Sequence, residues 1–176
     1  MMDHIEPQLL DSPHGASGLQ IFINGQSLID LVRPVELPFA EAEGKPDIAG
    51  QYGWLAGVAC GLFDATIQEV MVLGCTCGTA DCWPLYCRIE RLPGQVSWSG
   101  FFNPYRTPKA VSRMDDSAHR RIVSWDYTGL GFVFDRGQYD AAFAELQPAL
   151  TAERKRFAAE QAERWARIEA RQEGFA

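Results

Sequence analysis

Residues 73–87 read LGCTCGTADCWPLYC and hold four of the chain's five cysteines. Zinc takes four thiolate or imidazole ligands in a tetrahedron, and short steps between cysteines bring their sulfurs within reach of one ion. Here the spacing is Cys75-x-Cys77-x4-Cys82-x4-Cys87. A Cys-x-Cys step at a strand end puts two side chains on one face, and Gly78 permits the turn that carries Cys82 back to them. Cys75, Cys77 and Cys82 are therefore candidate ligands of a structural zinc, with Cys87 or His119 as the fourth. Other chemistries fit the same residues. Cysteine is often fully buried. Met71, Leu73, Cys75 and Cys77 share one face of a strand and Cys87 shares its face with Leu85 and Ile89, so these thiols also read as core. A Cys77–Cys82 disulfide across the turn is sterically open, whereas Cys75–Cys77 closes a strained ring. The Cys-x-x-Cys step of a thioredoxin-like site is absent.

A second candidate constellation surrounds the stretch 103–121, NPYRTPKAVSRMDDSAHRR, which carries five basic residues against two acids. Trp83, Arg106 and His119 are its candidate ligand-binding residues, suited to an anion or small molecule beside the cysteine turn. The bland alternative is a solvated loop. Catalytic arrangements are scarcer. The chain has three histidines, and His4 and His14 lie near the N-terminus. There is no P-loop, HExxH or GxSxG. No catalytic residue is assigned.

The elements that must position these residues follow from periodicity. Residues 1–17 read as a flexible acidic tail. In LQIFINGQSLIDLV, Asn24-Gly25 between two apolar runs signals a hairpin, with strands over 18–23 and 26–32. Residues 33–50 hold three prolines and read as a loop. Gly50, Gly53, Gly57 and Gly61 recur every three or four residues beside Cys60. A proline-rich loop precedes them, so close backbone packing is expected there in place of a cofactor loop. Val70 to Leu73 is apolar on both faces, as in a strand covered on both sides. A second hairpin spans 84–102, turning at Pro93-Gly94. One or two strands follow over 122–136. Asp135 and Gln138 make a variant capping box, and Tyr139, Phe143, Leu146 and Leu150 repeat at helical spacing. Pro148 permits a kink or a new first turn.

Residues 151–176 are rich in Ala, Glu, Arg and Gln and read as a charged C-terminal helix whose Trp165 would dock on the body or on a second copy. The fold expected is α+β: a mainly antiparallel β-sheet built from hairpins, then two C-terminal helical segments, in one domain over 18–150 with the helix appended.

Composition narrows the partners. The net charge is −7, and residues 1–50 hold eight acids against Arg33 and Lys45. That excess disfavours a nucleic-acid backbone as partner and suits a basic protein. No apolar run reaches the roughly 18–20 residues that span a bilayer, and the N-terminus lacks the blocks of a signal peptide. A cytoplasmic protein is expected, in which cysteines stay reduced or bind metal.

The stretches LGCTCGTADCWPLYCRI, VSWSGFFNPYR and WDYTGLGFVFDRGQYDAAFAEL together resemble a group of uncharacterised bacterial proteins, over about residues 70–150. The CWPL segment is the most specific part. The resemblance implies no particular activity. It picks out Cys75, Cys77 and Cys82 and leaves Cys87 aside. It also implies a histidine in relatives at the position of Tyr105.

The leading expectation is a non-enzymatic protein-binding module with a structural cysteine turn, meeting a partner or a second copy through the C-terminal helix. The alternative is an enzyme or small-ligand and anion binder with its pocket at the cysteine turn and the basic stretch.

Overall fold

In the computed structural model, residues 1–11, 17–53, 62, 66–77, 82–114, 122–152, 155–156, 158–159 and 162–163 are described. The fold is α+β, as expected. Two antiparallel sheets carry it: a three-stranded sheet of β1 (Ile5–Asp11), β2 (Ser17–Ile23) and β3 (Gln26–Ser27), and a five-stranded meander of β4 (Tyr52–Gly53), β5 (Glu69–Cys75), β6 (Leu85–Leu92), β7 (Gln95–Phe102) and β8 (Phe132–Asp135). Their buried side chains form one continuous core.

The N-terminus departs from expectation. Residues 5–11 are not a loose tail but strand β1, paired with β2 from Ile5↔Ile23 to Asp11↔Ser17. Ile5 is fully buried, while Glu6 and Gln8 face solvent. Pro7 is tolerated because β1 lies at the edge of its sheet. Asp3 fastens this sheet to the other. Its amide donates to the Val133 carbonyl (2.7 Å) and its carboxylate accepts from the Val133 amide (2.9 Å) and from Asn24 Nδ2 (2.8 Å).

The Asn24-Gly25 turn forms as expected, with φ of 52° and 79°, yet the strand after it is two residues long. The chain turns at Ser27 into helix α1 (Leu28–Ala42). The expected strand over 26–32 and loop over 33–50 are both corrected by this helix. Ser27 caps it by accepting from the Asp30 amide (3.1 Å). Leu28, Val32, Glu36 and Ala40 recur at i,i+4 as its buried stripe, while Pro34 and Pro38 lie on the exposed face. Burial of that stripe outweighs two lost helical hydrogen bonds.

The doubly covered strand is β5, where Val70, Met71, Val72 and Leu73 are all buried. The second hairpin is β6–β7, running from Leu92↔Gln95 to Tyr86↔Phe102. The polar stretch after it is not a plain loop. It holds a 3-10 turn at Pro104–Arg106, capped by Asn103 accepting from the Tyr105 amide (3.0 Å), and helix α2 (Pro108–Met114). Residues 115–121, including His119, lie outside the described residues.

Asp135 caps α3 (Arg136–Ala144) by accepting from the Gln138 amide (2.9 Å), but the box is half-built. The Gln138 side chain does not return to Asp135. It donates to the Ile5 carbonyl (2.8 Å) and so joins α3 to β1. Tyr139 and Phe143 face the core from α3. Helix resumes over residues 147–152 with Pro148 in its first turn, and the described positions beyond are helical. Trp165, like Gly57, Gly61 and Cys60, lies outside the described residues. Among the described residues, no helix is long and apolar enough to cross a membrane.

Candidate metal centre

Strand β5 ends at Cys75, and the chain turns at Thr76–Cys77. Cys82 comes back alongside, so that Cys75, Cys77 and Cys82 place their sulfurs within 4.8 Å of one another. The Cys77 thiol donates to Cys75 Sγ at 3.2 Å. Cys77 and Cys82 are exposed and Cys75 is half-buried. Hydrogen bonds to Cys75, and then to Cys77, push the Cys82 thiol up to about 11, so an ion that takes Cys82 must displace its proton.

Zinc–thiolate bonds of about 2.3 Å in a tetrahedron set sulfur–sulfur edges of roughly 3.8 Å. The Cys75–Cys77 pair is tighter than this, and the exposed Cys77 side chain can open it by rotation. The three residues thus fit a thiophilic ion. The structure does not bring Cys87 to them. It lies in β6 facing the core, 0% exposed, where burial pushes its thiol above the usual range. As a fourth ligand it is replaced by its role as core.

Two buried polar centres lie behind the cysteine turn, and sequence reading located only part of one. Trp83 follows Cys82. Its indole lies over the Arg106 guanidinium at 5.1 Å, Trp125 covers the same group at 5.0 Å, and the two indoles meet edge to face at 5.8 Å. Tyr105, on the 3-10 turn, stacks on Trp83 at 6.3 Å. Arg106 donates to Glu43 Oε1 (2.8 Å), with the two side chains 9% and 0% exposed. The Val123 amide donates to the same oxygen (2.9 Å), and the Trp125 amide donates to the Arg106 carbonyl (2.9 Å). The structure brings Trp83 and Arg106 together, with the charge of Arg106 directed inward to Glu43.

The second centre is Glu36, 0% exposed in the middle of α1. Its Oε1 accepts from the Tyr52 hydroxyl (2.5 Å) and the Tyr127 hydroxyl (2.7 Å), and its Oε2 accepts from the Gly50 amide (2.7 Å). Asn103 Nδ2 donates to the Tyr52 hydroxyl at 3.5 Å. Gly50 has φ of 66°, and a Cβ there would stand 2.8 Å from Arg33 Cβ, so this donor needs glycine. Burial raises the Glu36 carboxyl above its usual range, against the lowering effect of the three donors and of Arg106. Burial and then the Glu36 charge raise Tyr52 well above the ordinary phenol range. For Tyr127, burial and then the Tyr52 and Glu36 charges raise it likewise.

No family model, curated protein or solved structure matches the chain. The resemblance on the cysteine segment rests on the quoted stretches alone, and the structure gathers their residues at one end of the meander: Cys75, Cys77, Cys82 and Trp83 from the first, Arg106 from the second, Trp125 and Tyr127 from the third.

Glu36, Glu43, Tyr52, Asn103 and Tyr127 were not recognisable from spacing, since their partners lie up to 91 positions apart. The one local signal is the seven-residue step between Glu36 and Glu43, close to two helical turns. It becomes visible only once 28–42 is read as helix.

Proposed function

We propose that this chain is a zinc-binding protein in which Cys75, Cys77 and Cys82 hold one ion that closes the turn between β5 and β6. The supporting observation is the approach of three thiols, from two separate steps of the chain, to within 4.8 Å of one another. The ion's service is structural: it would tie Cys75 and Cys77, at the end of β5, to Cys82, ahead of β6. In this reading the rigid turn is the contact surface of a non-enzymatic module for a protein partner. The acidic charge offered to that partner is smaller than composition suggested. The Glu36 and Glu43 side chains are buried and the Asp3 carboxylate is bonded to Val133 and Asn24, leaving Glu6, Asp30, Glu41 and Asp47 exposed.

Elemental analysis of protein purified without chelator tests the proposal. One equivalent of zinc is expected in the wild type and in C87S, and none in C77S or C82S. Metal-free, fully folded wild-type protein would refute it.

A further inference from the structure

Both ends of the cysteine turn rest on the same helix. At its far end Cys82 is bonded to Trp83, whose indole lies 5.1 Å over Arg106, and Arg106 is paired with Glu43 at the C-terminus of α1. At its near end Cys75 pairs directly with Tyr52 across β4–β5. Directly opposed residues of an antiparallel pair share a face, and the Tyr52 hydroxyl donates to Glu36 in the middle of α1. Gly53 presses on the turn itself: a Cβ there would stand 2.8 Å from Thr76 Cα.

Resting on the zinc reading, we infer that Glu36 and Glu43 are positioning residues for the cysteine site, acting through Tyr52 and through the Trp83–Arg106 stack. Three thiols on a turn bind an ion tightly only when the backbone that carries them is already held, because ordering it at the moment of binding subtracts from affinity. The two carboxylates stand seven residues apart on α1 and anchor the two limbs of the turn. Each anchor is a buried carboxyl with its own second hold on the chain: the Val123 amide on Glu43 and the Gly50 amide on Glu36. The Arg106–Glu43 contact runs through one nitrogen and one oxygen, and among the described residues Arg106 Nε and Glu43 Oε2 have no hydrogen-bond partner. Without a two-pronged fork, the guanidinium depends on its aromatic cover for a fixed orientation. That makes Trp83 the member through which the anchor reaches Cys82.

The test is zinc affinity of the full chain, measured by competition with a chromophoric chelator. Trp83→Leu keeps an apolar side chain and leaves the ion pair intact, and it should weaken zinc binding by about tenfold or more, as loss of an outer support does. Trp83→Phe retains a ring over the guanidinium and should recover most of the loss. Wild-type affinity in Trp83→Leu would overturn the inference while leaving the zinc reading intact. Absence of zinc binding by the wild type would overturn both. A wild-type measurement covers the case in which the leucine variant fails to fold. Zinc should slow amide exchange at Val123 and Trp125 more than at Asn24, whose amide bonds His4 in the distant hairpin (2.9 Å). Equal slowing at all three sites would overturn the inference.

Discussion

Glu36 shows at the scale of one residue how this fold handles charge. Its carboxyl is buried among two hydroxyls and one amide, and burial raises it above the ordinary range. The folded chain therefore keeps a proton that the unfolded chain has already lost, over the pH interval between the two values. Stability from this group is complete below the ordinary glutamate range and declines as pH rises through the folded value. Glu36→Gln removes that decline. Its amide oxygen still accepts from Tyr52 and Tyr127, but its NH2 group faces the Gly50 amide, donor against donor. The expected cost is about 1–3 kcal/mol at pH 5, narrowing towards pH 8, by urea unfolding at both. Parallel pH profiles for variant and wild type would contradict this account of Glu36. Nothing in the sequence around Glu36 announced the site, because its donors come from Gly50, Tyr52 and Tyr127 and only the fold assembles them. The cysteines are the opposite case. Spacing alone grouped Cys75, Cys77 and Cys82, because the signal is local, and the alternation of β6 already put Cys87 on an apolar face.

Among elements, α1 was the least legible and the hairpins the most. Asn24-Gly25 and Pro93-Gly94 specify turns by backbone chemistry that tertiary structure need not supply. In α1 the prolines at 34 and 38 carry a local signal against helix. The winning term, burial of Leu28, Val32 and Ala40 against the core, is tertiary. The strand β1 was missed for a related reason. Pro7 lies within it, a residue that strands carry only where its missing N–H meets no partner, and here β1 sits at a sheet edge. Strand β4 has just two residues, yet it joins Glu36 to the cysteine turn through Tyr52 and lies against Thr76 through Gly53. Gly53→Ala forces a methyl group onto that backbone and should cost about 1–3 kcal/mol in urea unfolding. It should also lower zinc affinity. A variant as stable as wild type would show that β4 is not seated tightly on the turn.

For the whole molecule, the question is whether two sheets behave as one body. Asp3, Gln138 and α3 tie the first sheet to the second, and the core runs through both without a break. Unfolding should accordingly be a single transition, with tryptophan fluorescence and far-ultraviolet circular dichroism coinciding. Asp3→Ala removes two hydrogen bonds accepted by its carboxylate and should cost about 1–2 kcal/mol without splitting that transition. A first step confined to the N-terminal sheet would show that the two sheets are separately stable. Composition marked this region as a mobile acidic tail because acids near a terminus usually are solvated. Here Asp3 is a fastener.

The central claim is that three particular sulfurs hold one ion. X-ray absorption at the zinc edge, on the purified protein, reads that directly. The account predicts a first shell with three sulfurs at about 2.3 Å, unchanged in C87S. A shell of nitrogen and oxygen alone, or the loss of one sulfur in C87S, would contradict it.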